Sequence, residues 1–134
     1  MTARLASLLA LGLLLSACCG TPENSAPLVK QKSDQGKLEL TLVTTPQPPT
    51  RGLDSAVLTV TDPSGKPVAG LTVGLTPYMP AMGHGGSVQP TVTDKGNGVY
   101  DIANLYLYMP GEWQLIFQFS GPVTDSATLA ITVD

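Results

Sequence analysis

The sequence predicts an all-β protein, an immunoglobulin-like antiparallel β-sandwich of about seven strands. Three observations carry that prediction. Apolar residues recur with period two in short runs, no window has a convincing helical period, and clusters rich in glycine and proline separate the runs. The composition agrees, with 14 Gly and 12 Pro among 134 residues and only 13% charged side chains, about half the usual share.

Taken in order, the first run places Leu38, Leu40 and Leu42 on one face of a strand and Glu39 and Thr41 on the other. Ala56, Leu58 and Val60 repeat the pattern, as do Leu71, Val73 and Leu75. The last two runs are the clearest: Trp113, Leu115, Phe117 and Phe119, then Ala127, Leu129, Ile131 and Val133. Turn signals stand between them at 46–52, at Asp62-Pro63-Ser64-Gly65-Lys66-Pro67, at Lys95-Gly96-Asn97-Gly98 and at Gly121-Pro122. Asn97-Gly98 is the strongest, because both residues tolerate the positive φ that a tight hairpin turn demands. A sandwich of this length has little room for a large internal pocket, so function is expected on its loops or edges.

The amino terminus reads differently. Arg4 precedes an apolar run from Leu5 to Leu15, and small residues follow at Ser16 and Ala17, the plan of a secretory signal peptide. The run is too short for a permanent membrane-spanning helix. Leu15-Ser16-Ala17-Cys18 resembles the bacterial lipobox, which implies that Cys18 becomes the lipidated first residue of the mature chain. The expected organisation is therefore a signal peptide at 1–17, a lipidated flexible stalk at 18–36 and a sandwich domain at 37–134. Two or three acyl chains would anchor the domain stably to a bacterial membrane, most simply the outer membrane on its periplasmic side. Cys19 has no second thiol beside the anchor with which to form an intramolecular disulfide, and is assigned no role.

Charge and residue inventory exclude several functions. A net charge of -3 argues against nucleic acid, whose phosphates need a surplus of Lys and Arg. One His and two adjacent Cys do not make a zinc site. His84 is the only neutral-pH base, and no nucleophile, base and orienter set stands out, so the chain is not expected to be an enzyme. Asp94, Asp101 and Asp125 are too dispersed for a calcium loop, and Trp113 reads as core.

Downstream of the signal peptide, all the methionines and the single histidine fall in two short segments. Tyr78-Met79-Pro80-Ala81-Met82-Gly83-His84-Gly85-Gly86 is one, and Tyr108-Met109-Pro110-Gly111 is the other, so Tyr-Met-Pro occurs twice. If the segments meet at one end of the sandwich, Met79, Met82, His84 and Met109 form a soft-metal site. Thioether sulfur is neutral and polarizable and favours Cu(I), which imidazole also suits. The bland alternative is that the Tyr and Met side chains plug the open end of the core. In a third reading, Tyr78 and Tyr108 form a contact patch for a protein partner.

The stretch from Gly70-Leu71 through Met79-Pro80-Ala81-Met82-Gly83-His84-Gly85, then Gly98-Val99-Tyr100 and Met109-Pro110-Gly111-Glu112-Trp113, resembles the YtkA-like domain, related to FixH-like proteins. That resemblance covers most of 37–134. It implies a small secreted or membrane-anchored β-sandwich linked to copper handling, with a copper-donating or copper-accepting protein as partner.

Overall fold

The computed structural model describes residues 28–134; the expected signal peptide, Cys18 and Cys19 lie outside the described residues. Nine strands are formed: β1 (Val29–Lys32), β2 (Glu39–Thr45), β3 (Gly52–Thr61), β4 (Thr72–Met79), β5 (His84–Gly85), β6 (Thr91–Gly96), β7 (Val99–Leu107), β8 (Gly111–Ser120) and β9 (Asp125–Val133). They make two antiparallel sheets, one in the order β1-β2-β3-β7-β6 and the other β5-β4-β8-β9. The all-β sandwich predicted from alternation is the observed architecture.

Period-two patterning explains the core. Leu38, Leu40, Leu42, Leu58 and Val60 enter from the first sheet, and Trp113, Leu115, Phe117, Phe119, Leu129 and Ile131 from the second. Burying each large apolar side chain contributes about 1.5–3 kcal/mol, which is why the pattern dominates the choice of faces. Between β6 and β7, Asn97 and Gly98 both have positive φ, 54° and 73°, as a two-residue hairpin turn of the Asn-Gly kind requires.

The ordered framework begins before Lys37. β1 pairs with β2 from Val29↔Leu42 to Lys32↔Glu39, so residues 29–36 belong to the sandwich. This corrects the boundary expected at 37 and shortens the segment read as a stalk. β1 carries a single apolar residue, Val29, and its alternation is too weak to announce a strand. Backbone pairing and the segment that follows it hold it instead. The Asp34 amide donates to the Ser126 carbonyl at 2.8 Å, and the Gln31 side-chain amide to the Thr128 carbonyl at 3.0 Å. These bonds tie the edge of the first sheet to β9 of the second.

Tyr100 ties another corner. Its side chain is fully buried, and its hydroxyl donates to the Val68 carbonyl at 2.9 Å and accepts from the Leu71 amide at 3.1 Å. The arrangement is of the kind that pins strand connections in immunoglobulin-like sandwiches. Tyr100→Phe is expected to destabilise the protein by about 1–3 kcal/mol in urea denaturation, because two backbone groups lose their partner while the ring volume is kept. A loss within the error of the measurement would contradict this role.

One irregularity decides how β7 presents its side chains. Opposite the register shift between Asp54 and Ala56 in β3, β7 bulges at Ala103 and Asn104, and Asn104 takes a left-handed φ of 58°. Tyr100 and Ile102 face the core before the bulge; Leu105 and Leu107 face it afterwards. The extra residue flips the phase of the strand, so Tyr106 and Tyr108 lie out of the core face that strict alternation from Tyr100 would assign them.

Candidate functional site

The two Tyr-Met-Pro segments meet at one end of the sandwich. The first forms a hairpin: Met79 and His84 are partners on the β4–β5 ladder, and the amides of Met82 and Gly83 both bond the Met79 carbonyl at 3.1 Å. Directly opposed residues of an antiparallel pair share a face, with Cβ atoms about 4.5–5.5 Å apart. Met79 and His84 are therefore cross-strand neighbours although five positions separate them in sequence.

The second segment lies across this hairpin. The Tyr108 hydroxyl is 2.9 Å from His84 Nδ1, and the two rings are nearly parallel with centroids 6.2 Å apart. Gly111 follows, with φ of 120°, and a Cβ there would meet the Met79 terminal methyl at 3.1 Å. Glycine at this position thus lets the Met79 thioether pass beneath the Met109-containing segment. Met109 is half-buried against the core, and its carbonyl accepts a 3.0 Å bond from the Trp113 indole.

The four sulfur and imidazole groups differ in access. Met79 is a core residue at 4% exposure, Met109 is partly covered, His84 is exposed, and Met82 stands at the hairpin turn at 48% exposure. Met79, His84 and the Met109 segment are brought together; Met82 projects from the turn between them. A single plug of the core accounts for Met79 but not for Met82 or His84. Among the described residues no group of three or more His, Cys, Asp and Glu side chains is placed to hold a metal.

Tyr78 and Tyr108, grouped as one contact patch in the sequence reading, occupy different settings. Tyr78 is opposed by Gly85 on one side and Gln114 on the other within the second sheet. Tyr108 instead packs with Tyr106 (centroids 6.0 Å) and edge-on against Trp113 (5.2 Å, 83°). The physical reason is pleat direction: Tyr78 alternates with inward-facing Met79, whereas Tyr108 follows the β7 bulge. Tyr106 thus packs beside the site unmarked by any motif, while Trp113, a motif residue read as core, is core and also braces Tyr108. The available signal was the spacing of two aromatic residues at 106 and 108, read without the bulge that re-aims them.

His84 Nδ1 has a second neighbour, the Gly85 carbonyl oxygen at 3.2 Å. An exposed apolar side chain, Leu53 at 66%, is opposed to Tyr106 on the β3–β7 ladder.

The crystal structure of a DUF4426 family protein from Pseudomonas aeruginosa has the same fold, with a TM-score of 0.52 over 77% of this chain and 92% of that one at 10% identity. A search of curated proteins finds no match. The YtkA-like family model matches residues 32–118, a span that includes β2 to β7, both Tyr-Met-Pro segments and most of β8. On that match, the chain belongs to the YtkA-like family.

Proposed function

We infer that this protein is an extracytoplasmic, lipid-anchored copper-binding protein that holds Cu(I) at the corner formed by Met79, Met82, His84 and Met109. The observation that carries the reading is the convergence of the two segments, with Tyr108 bonded to His84 at 2.9 Å and Met79 reaching Gly111. Thioethers and a neutral imidazole make a soft, uncharged donor set that discriminates against the hard cations. Exposed Met82 and His84 leave one side open, which suits a site that receives and releases its cargo. The Cys18 anchor would keep that exchange close to the membrane.

The reading predicts a binding stoichiometry. A chain beginning at Gly20 retains every described residue and lacks both thiols, which would otherwise compete for the metal. It is expected to take one equivalent of Cu(I) in competition with a colorimetric chelator. Met79→Ile, Met82→Ile and Met109→Ile together are expected to abolish binding while keeping apolar volume. Undiminished binding in the triple variant would remove the thioethers from the assignment.

Exposed Leu53 beside Tyr106 favours a second reading, in which this corner is a non-catalytic contact patch for a protein partner. Under it, partner capture survives the three Met→Ile changes and is weakened by Tyr78→Ser with Tyr108→Ser.

A further inference from the structure

The geometry points to Tyr108 as a positioning residue that sets the direction of the His84 ring, whose tautomer the Gly85 carbonyl sets beside it. This inference rests on the proposed copper site only for what His84 finally binds. The assignment of the proton follows from the partners. His84 Nδ1 lies 3.2 Å from the Gly85 carbonyl oxygen, which can only accept, so Nδ1 carries the hydrogen. The Tyr108 hydroxyl oxygen, 2.9 Å from the same nitrogen, then also accepts from it. Nε2 is left as the lone-pair nitrogen of an exposed ring, the form a metal ligand requires. A free neutral histidine prefers the opposite tautomer.

The device extends into the core. Trp113 is fully buried and bonds the Met109 carbonyl through its indole nitrogen, and its ring meets Tyr108 edge-on at 5.2 Å. Tyr108 is thereby held by a rigid neighbour on one side while it reaches His84 on the other. The chain of contacts Trp113, Tyr108, His84 transfers the order of the core to an otherwise exposed side chain on a two-residue edge strand. Partners that hydrogen-bond the other nitrogen of a ligating imidazole fix its ring orientation, and their loss typically lowers metal affinity by about 10- to 100-fold.

The test uses nitrogen-15 chemical shifts of His84, the only imidazole, in the metal-free chain from Gly20 at a pH where the ring is neutral. Nδ1 is expected to be protonated and Nε2 bare, in the parent and, because the Gly85 carbonyl remains, in Tyr108→Phe, whose ring is expected to reorient faster in carbon-13 relaxation of its C–H groups. Tyr106→Phe, which keeps the neighbouring ring but alters a hydroxyl outside the His84 contact, serves as control and is expected to leave the shifts and the ring motion unchanged. Cu(I) titration of Tyr108→Phe is expected to show affinity about 10- to 100-fold weaker than the parent. A parent protein with Nε2 protonated overturns the tautomer assignment, and equal ring motion in parent and Tyr108→Phe overturns the positioning role. Equal Cu(I) affinity in parent and variant overturns the positioning role. A parent that binds no Cu(I) removes the proposed function, and the nitrogen shifts then decide the tautomer by themselves.

Discussion

Replacing Gly98 with alanine is expected to cost about 3 kcal/mol of folding stability, a large fraction of the roughly 5–15 kcal/mol typical of a domain. Two effects add. Gly98 has a φ of 73°, where an L-residue is strained by about 1–2 kcal/mol. A Cβ there would also stand 2.4 Å from the Val60 carbonyl oxygen and 3.0 Å from the Val68 amide. Those two groups bond each other at 3.0 Å, while the Val60 amide donates to the Gly98 carbonyl at 2.7 Å. The new methyl must part this junction of β3, the β6–β7 turn and the segment at Val68, leaving backbone groups unpaired at about 1–3 kcal/mol. Gly65→Ala is the control, since its φ is 87° but nothing lies within 4 Å of the added carbon. Urea denaturation is expected to show Gly98→Ala markedly worse than Gly65→Ala; equal losses would mean that strain alone acts.

The second large effect is expected at Asp125. Its buried carboxylate accepts from the Ser33 hydroxyl at 2.6 Å and from the amides of Gln35, Lys37 and Ser126 at 3.1, 3.3 and 2.8 Å. It is the point at which β9 grips the turn between β1 and β2. Asp125→Asn keeps the volume but turns an NH2 group toward donors, and is expected to destabilise by about 2–4 kcal/mol, since bonds to a charged acceptor contribute about 1.5–3 kcal/mol. Burial pushes the Asp125 carboxyl up, but the bonds from Ser33, Ser126, Gln35 and Lys37 outweigh it and hold the pKa below its ordinary value of 3.8. The stabilisation is therefore complete above the unfolded value, near pH 4, and lost as pH falls through the lower folded one. The gap between parent and Asp125→Asn is expected to close on acidification from pH 5 to pH 2, followed by urea midpoints; a constant gap would show that the charge is not what matters.

Asp54 has the opposite sign. It is buried with less compensation: desolvation raises its pKa despite bonds from Thr50. Its protonated form is the one the fold favours, a contribution present at low pH and lost as pH rises through the raised folded value. Asp62 is also held below its ordinary value, by bonds from Ser64 and Lys66, so the acid response of the protein sums opposing carboxylates and Asp125→Asn isolates one of them.

How far the sequence reached differs from element to element. Leu38, Leu40 and Leu42, or Trp113, Leu115, Phe117 and Phe119, declare their faces because every second residue of a pleated strand points the same way. β1 was hidden by its lysines, and β5 is only two residues long within a glycine-rich segment. For the site, the repeated Tyr-Met-Pro marked both segments, and the phase of Leu71, Val73 and Leu75 runs on to buried Met79, whereas exposed Met82 lies beyond the strand. What the sequence did not show is the turn at 80–83 that closes the Met79↔His84 rung and leaves Met82 at its tip.

By itself the sequence determined the sandwich, the inward faces of its long strands and the Asn97-Gly98 turn, because hydrophobic periodicity and turn chemistry act over a few neighbouring residues. Tertiary structure decided the rest. Ser33 meets Asp125 across 92 positions and His84 meets Tyr108 across 24, contacts that exist only once two sheets are packed. The same is true of the bulge at Asn104: pairing with β3 accommodates one extra residue, and that residue reverses the alternation and aims Tyr108 at the histidine.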